Sequence, residues 1–93
     1  MVDTREIYKL FKMLVEAGIP CRARILYDGA QVVYPSYEKR ICDAVCHSGS
    51  YGHEKGLLEI MGLVDEDVGD DVEGYLTAEQ VFKRIQEDYL LKR

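Results

Sequence analysis

Cys21-Arg22-Ala23-Arg24-Ile25-Leu26-Tyr27-Asp28-Gly29-Ala30-Gln31-Val32-Val33-Tyr34-Pro35 is the stretch that decides the fold. Its first half has a period of two, with Cys21, Ala23, Ile25 and Tyr27 on one face and Arg22, Arg24 and Leu26 on the other, as in a half-buried strand. Asp28-Gly29 follows directly, and an Asp-Gly pair between two such runs favours a tight hairpin turn. Gln31 to Tyr34 therefore returns as a second strand. Pro35 ends it, because proline has no N–H to offer the ladder.

Working outward from the hairpin, Asp3 with Glu6 has the spacing of a capping box. Ile7, Leu10, Phe11, Leu14 and Val15 then recur at helical intervals until Gly18 and Pro20 stop the helix. On the other side, polar residues 36–40 connect to a third strand over Ile41 to Cys46, with Cys42, Ala44 and Cys46 on one side of it. Leu57 to Met61, bounded by Gly56 and Gly62, is expected as a fourth strand, which makes residues 47–56 a long hairpin loop. The acidic run 65–73 is expected to be a solvated connection. Thr77 and Gln80 form a second capping box, opening a helix with an apolar stripe of Val81, Phe82, Ile85, Tyr89 and Leu90. Lys83, Arg84, Lys92 and Arg93 lie toward its C-terminal end, where positive charge suits the helix dipole. The expectation is one small α+β domain spanning residues 1–93, in the order α-β-β-β-β-α, with a mostly antiparallel sheet and both terminal helices on one face.

Ninety-three residues with 47% hydrophobic content suffice for one modest core. A homodimer would cover further apolar surface and stabilise so small a domain. No apolar run is long enough to cross a bilayer, the N-terminus lacks the parts of a signal peptide, and the three cysteines are an odd number at irregular spacing. Free thiols and a cytoplasmic location are expected. The net charge of -5 is uneven: residues 1–46 carry seven Lys+Arg against six Asp+Glu, and residues 47–93 carry five against eleven. Such acidity disfavours direct nucleic-acid binding, which needs a clustered basic face.

The loop His47-Ser48-Gly49-Ser50-Tyr51-Gly52-His53-Glu54-Lys55-Gly56 is the most distinctive segment. Ser48, Ser50, Tyr51 and His53, together with Tyr37 in the earlier connection, are the expected contact residues, since tyrosine gives rigid area with a polar handle. Ser48 to Gly52 also has the composition of a backbone cradle for anions, although it lacks the Gly-Lys-Ser/Thr ending of a phosphate loop. Tyr8, Tyr27, Tyr34 and Tyr89 fit apolar faces and are expected to line the core.

Cys42, Cys46, His47 and His53 are four soft-metal ligands within twelve positions. On a strand, however, side chains four residues apart stand about 13 Å from one another, too far to share a tetrahedral ion. Buried thiols are expected instead, with no metal or cofactor. A cysteine nucleophile at Cys46 would need His47 beside its sulfur, and neighbours on a strand point to opposite faces. The acidic run fails as a calcium loop, because Gly69 falls at the fifth position from Asp65 and the closing glutamate is missing.

Over CHSGSYGHEKGLLEIMG and GYLTAEQVF, roughly residues 41–85, the chain resembles short uncharacterised proteins encoded in prophages and conjugative elements of Gram-positive bacteria. The resemblance implies an accessory protein of a mobile element and carries no chemical motif. The resulting expectation is a non-enzymatic module that binds a protein partner or itself. A Cys/His metal-dependent protein or cysteine enzyme is the alternative. A second alternative is an acidic antagonist of a nucleic-acid-handling protein, with Asp67, Asp70 and Asp71 as its test positions.

Overall fold

A computed structural model describes residues 2–92. Arg93, one of the basic residues expected at the end of the last helix, lies outside them. Helix α1 (Arg5–Glu16) is followed by β1 (Arg22–Leu26), β2 (Gly29–Tyr34), β3 (Cys42–Cys46), β4 (Leu58–Met61), β5 (Val72–Leu76) and helix α2 (Ala78–Leu91). The strands form one antiparallel sheet in the order β1-β2-β3-β4-β5. The α+β class and the two flanking helices are as the sequence predicts. The fifth strand is an addition, in a stretch whose first residues read as connection.

Both helices pack on one face. Ile7, Leu10 and Leu14 of α1 and Ala78, Val81 and Ile85 of α2 join Val32, Tyr34, Cys42, Ala44, Cys46, Leu58 and Ile60 in a single core. Period two puts alternate residues on the opposite face, yet Gln31, Val33, Asp43 and Val45 are buried there as well. A polar chain runs over that face: Arg24 donates to Gln31 at 2.7 Å, Gln31 to Asp43 at 3.0 Å, and Arg40 to Asp43 at 3.2 Å. Each buried polar group is thereby partnered, which is the condition for burying it at modest cost.

The helix starts differ in their fidelity to the sequence reading. At α2 the capping box is present, with Thr77 Oγ1 accepting from the Gln80 N–H and Gln80 accepting from the Thr77 N–H. At α1, Thr4 occupies the cap position instead of Asp3. The Asp3 carboxylate accepts the Arg5 N–H and guanidinium, which hold it down at about 2. Glu6 turns away from α1 altogether and accepts the Ala78 N–H at 2.8 Å, tying the two helix starts together. Lys9 and Glu79 add an ion pair across the same helix interface. Among the described residues, no helix is long and apolar enough to cross a membrane.

Candidate functional site

The loop between β3 and β4 is held by its own polar groups. Ser50 is buried, and its hydroxyl accepts the His47 N–H at 3.0 Å while donating to the His47 carbonyl at 2.9 Å. The Ser48 N–H goes to Asp28 in the β1–β2 turn at 2.9 Å, the Gly49 N–H to Nδ1 of His47 at 3.0 Å, and the Tyr51 N–H to Glu59 on β4 at 2.8 Å. The Ser50 N–H returns to the His47 carbonyl. Every backbone donor from His47 to Tyr51 is thus consumed inside the protein. A cradle that captures anions needs its N–H groups free, so the anion reading of this segment is overturned. The bond from Ser48 also holds the Asp28 carboxyl below its ordinary range.

The second half of the loop leans on β5. The Tyr51 carbonyl accepts the Tyr75 N–H, and a Cβ at Gly74 would collide with Tyr51, so glycine at 74 gives the loop its seat. Tyr75 has a left-handed backbone, and its hydroxyl reaches Glu54 at 2.6 Å. That bond lowers the Glu54 carboxyl and raises the Tyr75 phenol. Nδ1 of His53 donates to the Ser50 carbonyl at 2.6 Å. The outcome is a knuckle with a fixed backbone that leaves the Tyr51 side chain 65% exposed at its tip.

The expected contact residues separate into two groups. Ser48 and Tyr51 are exposed, and His53 is half-buried within the same knuckle. Ser50 is framework, because its hydroxyl is spent on the turn. Tyr37 is half-buried at the other end of β3, with its ring 5.2 Å from the Arg24 guanidinium. Since the β2–β3 connection and the 47–56 loop leave opposite ends of the strand, Tyr37 does not join the knuckle. Tyr27 was expected to line the core; it is 79% exposed beside His47, with ring centroids 5.1 Å apart in an edge-to-face contact. Tyr8 is likewise exposed, whereas Tyr34 is buried and its hydroxyl donates to Asp88 at 2.7 Å. Tyr27, placed by the hairpin turn next to the knuckle, is the surface residue the sequence reading missed. Its signal was the turn: residues between paired strands leave the sheet.

The thiols do not meet the histidines. Cys42 and Cys46 point into the core, and burial pushes the Cys42 thiol up to about 12 and raises that of Cys46. Cys46 donates to the Asp3 carbonyl at 3.4 Å, while His47 faces Tyr27. Among the described residues, no three His, Cys, Asp or Glu side chains converge as metal ligands would. A nucleophilic cysteine needs its thiolate favoured, and both environments act in the opposite sense. No family model matches the chain, and no curated protein or solved structure is detectably similar to it.

Proposed function

We propose that this chain is a non-enzymatic protein-binding module whose contact surface is the 47–56 knuckle, with Tyr51 at its tip and His47, His53 and the neighbouring Tyr27 around it. One observation carries the reading. The loop backbone is satisfied and fixed by internal hydrogen bonds, yet its largest side chain projects into solvent. A rigid aromatic on a fixed backbone loses little entropy when a partner covers it, which is how binding surfaces convert area into affinity. In this reading the module is an accessory factor of a prophage or conjugative element, a role that rests on the likeness of residues 41–85 to proteins such elements encode.

The test compares partners retained from cell extract by the wild-type chain, by Tyr51→Ala with His53→Ala, and by Lys83→Ala as a distant control. Loss of one partner from the loop variant alone is the expected outcome. A partner held equally by all three chains would remove the knuckle as the contact site.

A further inference from the structure

The two edges of the sheet are built differently. Opposite β5, the ladder is interrupted by a register shift between Leu58 and Ile60, and β5 itself carries Gly74, the left-handed Tyr75 and the preceding acids Asp70 and Asp71. Bulges of this kind keep an edge from pairing with another chain. By contrast, β1 keeps a regular ladder with β2 from Arg22 to Leu26, and Ile25 on it is 78% exposed. Leu26 and Gly29 close a two-residue turn as a hydrogen-bonded pair, so alternation turns the N–H and C=O groups of Ala23 and Ile25 toward the free edge.

Helix α1 leaves the same side open. Ile7, Leu10 and Leu14 fill the core, but Tyr8, Phe11 and Val15 make a second stripe one position along, with Tyr8 55% and Val15 56% exposed. Between that stripe and β1 lies an apolar groove of about 260 Å³, walled by Tyr8, Phe11 and Ile25 over a floor of Ala30 and Val32.

We propose that a second copy of this chain covers this edge, forming a symmetric dimer in which β1 pairs antiparallel with β1 and the dyad passes through Ile25. The charges select that register. A dyad at Arg24 would set its guanidinium against its own copy, and one at Ala23 would set Arg22 against Arg24. Like charges directly opposite destabilise a strand pair. A dyad at Ile25 sets Arg22 opposite Asp28 of the partner subunit, Arg24 opposite Leu26, and Ile25 opposite itself. The symmetry axis then runs perpendicular to the sheet, so both α1 helices lie on one face, each turning its Tyr8, Phe11 and Val15 stripe toward the joined groove above Ile25. The exposed side chains of Tyr8, Val15, Ile25 and Tyr27 supply on the order of 400 Å² per copy. With the edge backbone and the arginine stems, this approaches the roughly 800 Å² per partner of a standard interface. The contact shares Tyr27 and Asp28 with the surroundings of the knuckle but uses none of residues 47–56.

Native mass spectrometry and analytical ultracentrifugation of the full chain test the proposal, with far-UV circular dichroism on each variant to confirm that it is folded. Wild type and Tyr51→Ala are expected as dimers and Ile25→Lys as a folded monomer; a wild type that stays monomeric throughout the micromolar range overturns the idea. Arg22→Asp is expected to dissociate the dimer, whereas an unaffected Arg22→Asp dimer overturns the register. In a Cys21→Ser background, Ile25→Cys is expected to form an intermolecular disulfide under mild oxidation faster than Arg24→Cys, because only a pair on the dyad brings the two sulfurs within bonding reach. The reverse order places the dyad elsewhere. An added peptide that binds this edge while the wild-type chain remains monomeric would assign the groove to a foreign strand and overturn self-pairing.

Discussion

Replacing Ser50 with alanine separates the framework of the knuckle from its contact surface. The hydroxyl makes two bonds to one residue, accepting from the His47 N–H at 3.0 Å and donating to the His47 carbonyl at 2.9 Å, from a side chain that is buried. A neutral hydrogen bond contributes about 1 kcal/mol net, and an N–H left unpaired away from water costs about 1–3 kcal/mol. Together these give a destabilisation of about 2 kcal/mol for Ser50→Ala. In a domain of this size that corresponds to a fall in Tm of about 10 °C. Tyr51→Ala removes a ring that is mostly in solvent, so its change is expected within about 0.5 kcal/mol. Urea unfolding followed by circular dichroism measures both, at one fixed chain concentration because self-association raises apparent stability. If Ser50→Ala is as stable as Tyr51→Ala, the hydroxyl does not hold the turn and the account of a preordered knuckle fails.

Three further perturbations test other parts of the structure. Glu73 on β5 receives two bonds from Arg84, at 2.5 and 3.0 Å, and this pairing depresses its carboxyl below the ordinary value of 4.5. Glu73→Gln is expected to cost about 2 kcal/mol at neutral pH. Because the folded value is the lower one, the contribution is fully present above the unfolded value and is lost as pH falls through the folded value. The gap in urea midpoint between wild type and Glu73→Gln should therefore close on acidification, and a constant gap would rule out the charge as its source. Gly74→Ala puts a methyl into Tyr51 and should cost about 1–3 kcal/mol while shifting the amide resonances of residues 51–53; an unshifted loop would show that β5 is not its seat. Titration with a disulfide reagent should modify the half-exposed Cys21 first and reach Cys42 and Cys46 only on unfolding. Rapid modification of Cys46 in the folded chain would bring thiol chemistry back into consideration.

The parts of the fold legible in the sequence are those specified by local chemistry. The 21–34 hairpin follows from period two, but its turn falls on Tyr27-Asp28, with Tyr27 left-handed and Gly29 already the first residue of β2, one position before the expected Asp28-Gly29; α2 starts where Thr77 and Gln80 can serve each other's backbone. Gly18 ends α1 with a left-handed backbone, as a C-terminal glycine should. What the sequence hid depends on residues distant along the chain. The strand Val72–Leu76 has its alternation broken by Gly74 and the left-handed Tyr75, and both make sense only once the knuckle from residues 47–56 rests there. Ser50 reads as a loop serine until the backbone of His47 folds onto it. Glu6 fits a local cap equally well by spacing; what draws it away is the Ala78 N–H, seventy-two residues on. The exposure of Ile25 was hidden for a related reason. Alternation assigns it to the helix-bearing face, but whether a helix reaches that far across the sheet is set by packing, and α1 centres on β2 and β3 rather than on β1.

The charge asymmetry of the chain bears on how two copies would approach. Residues 1–46, nearly neutral, build α1 and β1 to β3, whereas the acidic excess of residues 47–93 falls mainly on the connection between β4 and β5, with Asp65, Glu66, Asp67, Asp70 and Asp71. In a β1-to-β1 dimer the neutral halves meet at the dyad, and the β5 edges lie outermost. Four strand spacings of about 4.8 Å put each acidic edge roughly 20 Å from the axis and so about 40 Å from the other, several times the Debye length of about 8 Å at physiological salt. The repulsion expected of two copies at -5 each is therefore screened where it is largest. The charged pair nearest the contact, Arg22 with Asp28 of the partner subunit, is attractive and exposed, so added salt weakens it by less than about 1 kcal/mol. The dyad repeats the pair, so the dimer dissociation constant should change by less than about thirtyfold between low and physiological salt. A steep tightening with salt would instead locate the interface on the acidic side of the molecule, and the β1 edge would then belong to some other strand.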